Sequence, residues 1–231
     1  MLSVCMPTYN GEEFIRMQLD SILAQLAPGD ELIVSDDSST DGTVGIIESY
    51  CDERIRLLKG NGFHSPIYNL ENALKEARGD YIFLSDQDDE WAKDKVAVCL
   101  EYLRECDLVV HDAEVVDGTG SQIAESFFRL NHTRDGRLYN LLKNGYLGCC
   151  MCFTRTLLED VLPFPEGLPM HDIYIGNSAA FNGYKIRFVP DRLIRYRRHG
   201  NNASITSEHS HRCMLLRLKD RLVILKSIQV K

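Results

Sequence analysis

The amino-acid sequence predicts an α/β fold in which a mostly parallel sheet carries helices on both faces. Three observations support this. Short apolar runs rich in β-branched residues alternate with segments whose apolar residues recur at helical spacing. Strands and helices follow one another singly, the order of right-handed βαβ units. Three strand ends carry polar clusters, Pro7-Thr8-Tyr9, Asp36-Asp37 and Asp86 to Asp89. In such sheets ligands bind beyond the carboxyl ends of the strands.

The elements follow in order. Ser3 to Met6 reads as a strand and Pro7 to Gly11 as a turn, with Asn10 placed to cap a helix and Glu13 at the capping-box position. Ile15, Leu19, Ile22, Leu23 and Leu26 form one helical face, which Pro28-Gly29-Asp30 ends. Leu32 to Val34 is a second strand, Gly42 to Tyr50 a short helix, and Ile55 to Leu58 a third strand. Asn69 to Ala77 reads as a helix, Tyr81 to Leu84 as a strand, Lys93 to Arg104 as a helix and Leu108 to His111 as a strand. The second half is less regular. Residues 117–136 read as a loop, Leu138 to Lys143 as a helix, Gly148 to Arg155 as a strand or its flank, and Ile173 to Phe181 as a helix. Ile186 to Val189 and Leu193 to Tyr196 read as two short strands.

Composition sets outer limits. A chain of 231 residues is long enough to bury roughly 70% of its unfolded surface. With 44% hydrophobic and 26% charged residues it is neither disordered nor fibrous. The net charge of -8 is uneven: residues 185–231 hold 12 Lys+Arg against 3 Asp+Glu, and the remainder 14 against 31. An acidic body with a basic end suggests a surface for anionic lipid or phosphate rather than a nucleic-acid partner. Met1-Leu2-Ser3-Val4 enters a strand-like run with no basic segment, so no secretory signal is expected. No stretch of 18 apolar residues spans a membrane. The 8 cysteines, scattered through apolar runs, are expected to be reduced thiols of a cytoplasmic protein. On that reading the sequons at Asn131 and Asn202 are chance.

The stretch SDQDDEW, residues 85–91, concentrates four carboxylates where a strand leaves the core. Asp86 and Asp88, at i and i+2, can face the same way. Oxygen ligands suit Mg2+ or Mn2+ with positions left for phosphate oxygens, and such an ion would stabilise a diphosphate leaving group. The plain alternative is a solvated acidic loop. A rival metal site is the near match to a calcium loop over Asp37, Ser39, Asp41, Gly42 and Glu48, although a strand-like run precedes it instead of a helix. Cys149-x-x-Cys152 reads as an apolar strand with small thiols rather than zinc or redox chemistry, since no second such pair exists.

Six stretches, in order from residue 4 to residue 202, carry a family resemblance: VCMPTYNGEEFIRMQLDSILAQ, LIVSDDSSTDGT, GDYIFLSDQDDEW, GCCMCFTRTLLE, MHDIYIG and YRRHGNN. Together they resemble the inverting glycosyltransferases of family 2, whose GT-A fold is Rossmann-like, a mostly parallel sheet flanked by helices. SDQDDEW and YRRHGNN are particularly similar to bacterial rhamnosyl- and hexosyltransferases of surface-polysaccharide synthesis. The resemblance implies transfer of a sugar from a nucleotide-diphosphate donor, a UDP- or dTDP-sugar, to a hydroxyl of a glycan or undecaprenyl-linked acceptor at the inner face of the cell membrane. A non-catalytic calcium-binding or sugar-nucleotide-binding module is the alternative.

The resemblance also assigns roles. Pro7, Thr8 and Tyr9 would line the nucleotide pocket, with Tyr9 against the base, and Asp36 or Asp37 would hydrogen-bond the base. Asp86, Gln87 and Asp88 would occupy the D-x-D position, Asp88 ligating Mn2+ or Mg2+ and Asp86 sitting near the ribose or donor sugar. Asp172 falls at the catalytic base and His199 at a further metal or diphosphate contact. A helix N-cap and a loop histidine are the plain readings of those two residues. Asn69 is a donor contact or a helix N-cap. Arg195, Arg197 and Arg198 pair with phosphate or form a solvated face. Asp89, Trp91 and His171 are assigned to the acceptor side. Many relatives carry an acid where this chain has His171, which leaves Asp172 as the base.

These expectations divide the chain into a GT-A domain over 1–204 and a basic amphipathic helix over 205–231. Residues 1–112 form the nucleotide-binding half of that domain and 113–204 the acceptor-binding half. Leu215, Leu218, Leu222 and Leu225 share one face of the final helix. That face either lies on an anionic membrane or docks on the domain or a partner chain.

Overall fold

The computed structural model describes residues 1–200 and 214–228. Four parallel strands form one side of a sheet: β1 (Leu2–Thr8), β2 (Glu31–Asp36), β3 (Ile55–Leu58) and β4 (Tyr81–Leu84). Their side chains alternate between two cores. Val4, Met6, Leu32, Val34 and Phe83 point to one, and Cys5, Ile33, Ile82 and Leu84 to the other. Burial on both faces explains why these strands read as continuous apolar runs.

Helices cover both faces. α1 (Ile15–Leu23), α2 (Thr43–Glu48) and α4 (Lys95–Leu103) supply Ile15, Leu19, Ile22, Ile47, Val96 and Cys99 to the first core. α3 (Pro66–Glu76), α7 (Arg155–Val161) and α8 (His171–Phe181) supply Leu70, Leu74, Leu157, Leu158 and Ile175 to the second. The N-cap of α1 is Phe14, with no side-chain cap. The expected Asn10–Glu13 capping box is therefore absent. Asn10 has φ 47° and its Oδ1 accepts from the Thr40 backbone, which joins two loops instead.

The other side of the sheet is mixed. β6 (Leu108–Asp117), β8 (Met151–Thr154), β9 (Ile186–Arg198) and β5 (Glu90–Trp91) complete the order β3-β2-β1-β4-β8-β6-β9-β5. β8 runs antiparallel to both β4 and β6, while β9 is parallel to β6. Residues 112 and 113, the expected meeting point of the two halves, lie inside β6. The two short strands expected at 186–189 and 193–196 are one strand, β9. Pro190-Asp191 reads locally as a break, and it coincides with a register shift against β6 that absorbs the irregularity. The expected loop at 117–136 contains β7 (Gln122–Ala124) and α5 (Phe127–Asn131), the latter capped by Ser126.

Among the described residues no helix is long and apolar enough to cross a membrane. The described cysteines are all free; Cys213, Asn202 and the boundary at 204/205 lie outside the described residues. α6 (Arg137–Leu142) and α9 (Met214–Ser227) complete the fold. α9 buries Ile224 in the second core, where Ile228 just beyond its end is also buried, and exposes Leu222 and Leu225. Of the expected leucine face, Leu215 and Leu218 are outside the described side chains.

Two glycines test how tightly this framework is packed. A Cβ at Gly79 would lie 2.6 Å from the backbone of Leu2 and Ser3, whereas one at Gly45, inside α2, meets nothing within 4 Å. Gly79→Ala is expected to destabilise the protein by about 1–3 kcal/mol. Gly45→Ala is expected to stabilise it by about 0.5–1 kcal/mol. Urea denaturation of both variants checks the pair.

Candidate active site

The carboxyl ends of β1, β2 and β4 open onto a cavity of about 400 Å³, a size suited to a small-molecule ligand. Pro7, Thr8 and Tyr9 line it from the end of β1, Asp37 from the end of β2, and Asp86, Gln87 and Asp88 from the end of β4. The opposite wall comes from the chain before β8, with Leu147 and Gly148, and from the start of α8, with His171 and Asp172.

The structure separates the two aspartates after β2. Asp36 is buried and accepts from the Thr8 hydroxyl and from the Ser39 hydroxyl and backbone, so it braces the loop and does not line the cavity. Asp37 does line it, and its carboxylate accepts from the backbone N–H groups of Phe63 and Ser65. Asn69 lies in the first turn of α3, whose N-cap is Ser65. It donates to the Thr8 carbonyl, and its buried Oδ1 has no partner. Gln87 brackets Tyr9, accepting from the Tyr9 N–H and donating to the Tyr9 carbonyl. Gly11 permits this approach, since a Cβ there would sit 2.4 Å from the Gln87 side chain.

The acids after β4 are held from behind. Gln18, fully buried on α1, donates to the Ser85 hydroxyl and the Asp86 carbonyl. Lys95, fully buried on α4, donates to the Cys149 carbonyl and lies over the Trp91 ring. Burial, with the charges of Asp88 and Asp172, pushes the Asp86 carboxyl up to about 7. Burial also raises Asp89 well above the usual carboxylate range. His199 Nε2 lies 2.8 Å from Asp88 Oδ2, and this contact raises the imidazole above its ordinary value.

The donor atoms fit a divalent cation. Carboxylate oxygen and imidazole nitrogen from Asp88 and His199 meet at one point, and Asp89 Oδ2 is buried nearby in sequence without a partner. Carboxylate and imidazole donors together suit a divalent metal ion. Asp86, Asp89 and Cys149 also bring ligand atoms within 4.8 Å of one another. Burial raises the Cys149 thiol well above its ordinary value and keeps it protonated. A neutral thiol is a poor ligand.

Asp172 lies in the first turn of α8, where its carboxylate accepts from the Ile173 N–H. Burial raises it to about 7, against the hydrogen bonds from Ile173 and Asn144. Its neighbour His171 is buried with Nδ1 unpartnered, and burial lowers its imidazole to about 4. At neutral pH the site therefore pairs a titrating carboxyl with a neutral imidazole. The expected N-cap role falls to Met170.

Several sequence expectations are corrected here. Asp89 and Trp91 do not line the cavity: Asp89 is fully buried and accepts from the Arg197 backbone, and Trp91 packs on Phe83 in the core. Neither is placed to touch an acceptor. The calcium-loop reading fails because β2 precedes it, Asp37 is engaged by Phe63 and Ser65, and Glu48 pairs with Lys59. Arg195 and Arg197 do not form a phosphate-facing row. Arg195 pairs with Glu90 and Glu114, and Arg197 is 4% exposed. Arg197 Nε donates to the Asp88 carbonyl, and its guanidinium lies 4.9 Å over Phe14, whose ring touches that of His199.

Sequence reasoning missed Gln18, Lys95 and Arg197 as supports, and His64, Leu147, Met170 and Tyr196 as lining. For two of these a signal existed. Gln18 sits on the apolar stripe of Ile15, Leu19 and Ile22, and Lys95 on that of Cys99 and Leu103. A polar residue on a core-facing stripe needs a buried partner. Arg197→Lys, which loses the bond to Asp88, is expected to raise the half-activating Mn2+ concentration roughly 10- to 100-fold. A Mn2+ titration of activity, with the melting temperature as a folding control, checks this.

Comparison with known proteins agrees with this geometry. The family model described as glycosyl transferase family 2 matches residues 3–162. The Bacillus subtilis protein TuaG, named as a teichuronic acid biosynthesis glycosyltransferase, is 28% identical over 88% of this chain and 81% of its own length. The Escherichia coli UDP-Glc:alpha-D-GlcNAc-diphosphoundecaprenol beta-1,3-glucosyltransferase WfgD is 29% identical over 69% of this chain and 62% of its own. The crystal structure of Staphylococcus aureus TarS 1–349 with UDP superposes with a TM-score of 0.67 at 25% identity, over 85% of this chain and 60% of that one. The chain thus spans less than two thirds of several proteins that it matches. The fold, the motif order and the family match agree, and the chain belongs to glycosyl transferase family 2.

Proposed function

We propose that the protein transfers a sugar from a nucleotide-diphosphate donor to a hydroxyl of a glycan acceptor, with inversion at the anomeric carbon. The observation that carries this reading is the convergence of the Asp86–Asp88 segment and Asp172 on one cavity from opposite walls. Asp37 and the Thr8–Tyr9 backbone suit a nucleoside, and the UDP bound to TarS favours a UDP-sugar, with a dTDP-sugar as the variant. Asn69 Oδ1, buried and unpartnered, is available to a donor hydroxyl.

Asp88 and His199 would hold Mn2+ or Mg2+, which when bound neutralises charge on the diphosphate leaving group. The protein groups carry the remaining work. The acceptor hydroxyl is a weak nucleophile, and Asp172 takes its proton as the new bond from acceptor oxygen to anomeric carbon forms. The bond from that carbon to the phosphate oxygen breaks, and its electron pair leaves with the nucleoside diphosphate. Attack from the face opposite the leaving group inverts the centre. The buried wall of Leu147, Gly148 and Tyr196 excludes water that would compete with the acceptor.

The acceptor is proposed to be a glycan in cell-surface polysaccharide synthesis, carried on an undecaprenyl-type diphosphate as the WfgD acceptor is. The reaction then takes place at the cytoplasmic face of the membrane. His171, neutral and facing the cavity, is the proposed acceptor contact. Donor binding is assigned to the strand ends within residues 1–112 and acceptor binding to residues within 113–204, the two sharing one continuous sheet.

Asp172→Asn is expected to lower turnover roughly 10²- to 10⁴-fold, with donor binding measured by calorimetry retained. Full turnover by that variant would remove Asp172 from its role. Asp88→Ala is expected to weaken Mn2+-dependent donor binding in the same assay. The base must be ionised to accept a proton, so kcat/KM is expected to rise with pH through about 7 and to fall below it. A pH profile that is flat across that range contradicts the assignment.

A further inference from the structure

Among the described residues the three most exposed large hydrophobic side chains, Leu138, Leu142 and Leu222, lie on two helices. Leu138 and Leu142, 64% and 61% exposed, lie at i and i+4 on α6; Leu222 and Leu225, 56% and 42% exposed, lie at i and i+3 on α9. Each pair forms a stripe along its helix. Arg221 joins the helices, donating from Nε to the Leu141 carbonyl and also to the Leu142 carbonyl. The end of α6 that carries Leu142 is thereby tied to α9 at the residue preceding Leu222. The docking of α9 does not use the two stripes, because Ile224 and Ile228 fill the core beneath.

We propose that these paired leucine stripes form a docking surface for an anionic lipid bilayer. The rim is basic: Arg137 and Lys143 flank the stripe on α6, and Lys219 and Lys226 flank that on α9, all exposed. Against them stand Asp135 and Asp220. An apolar centre inside a basic rim matches the boundary between acyl chains and anionic headgroups. It does not match a second copy of this chain, since a two-fold contact would bring like-charged rims together. Among the described residues no helix is long and apolar enough to cross a membrane.

The surface connects to the proposed chemistry. Lys143 precedes Asn144, whose side chain hydrogen-bonds Asp172. A lipid-linked acceptor entering along this face would bring its diphosphate past Lys143 toward the base. That direction of entry rests on the proposed function; lipid binding itself does not.

The test is co-sedimentation of the full chain with phosphatidylglycerol-rich vesicles and with pure phosphatidylcholine vesicles, alongside UDP binding by calorimetry. The wild-type chain is expected to sediment with the anionic vesicles only. Leu222→Gln with Leu225→Gln should abolish this at every salt concentration while UDP binding is unchanged. Lys143→Gln with Lys226→Gln should weaken it on the order of fivefold per charge removed, with the difference shrinking in high salt. The proposal is overturned if the wild type stays in solution, if it binds both vesicles equally, or if the leucine variants sediment like the wild type. It is also overturned if the leucine variants instead convert a dimer to a monomer without lipid. Loss of lipid binding with UDP binding intact separates this inference from the proposed reaction.

Discussion

The protein gathers four carboxylates, Asp86, Asp88, Asp89 and Asp172, in and beneath one cavity, three of them with little access to water. Charges so placed repel one another, and desolvation disfavours each ionised form. The surrounding structure answers that constraint. Lys95 lies fully buried behind the cluster, Arg197 holds the Asp88 carbonyl and the Asp89 carboxylate, and His199 leans on Asp88. Protons raised to about 7 on Asp86 and Asp172 relieve what the fixed cations leave. The site is thus prepared for a cation and for a proton, the two species that glycosyl transfer would bring to it.

Much of the fold was legible because both cores select the same residues that local preference does. β3 and β4 lie where apolar, β-branched runs predict them, and α1 buries Ile15, Leu19 and Ile22 as its period requires. What was not legible depends on pairing between distant segments. β5 is two residues long and exists only because Ile194 and Arg195 lie beside it. β9 continues through Pro190 because β6 shifts register to accept it. Neither fact leaves a local pattern.

The site follows the same division. Motif residues at strand ends, Thr8, Tyr9, Asp37, Asp86 and Asp88, line the cavity because a parallel sheet delivers its carboxyl ends to one edge. Sequence spacing could not tell Asp36 from Asp37, since the distinction lies in which way the chain turns after β2. It also could not show that Asp89 and Trp91 face the core while Asp88 faces the cavity. The alternation of a strand is lost once β4 ends, and the positions there are set by packing on Phe83 and by Arg197, which lies far away in the chain.

β8 also determines how the molecule can be divided. It pairs Ile82 and Phe83 on one side and Leu108 to Val110 on the other, so β4 and β6 belong to one hydrogen-bonded sheet. A ligand bound at this sheet would be enclosed by loops and side chains rather than by two lobes closing. For the same reason a chimera joined near residue 112 would transplant more than an acceptor preference. The incoming β8 would have to match the register and side-chain size of the host β4, or the seam itself would fail to fold.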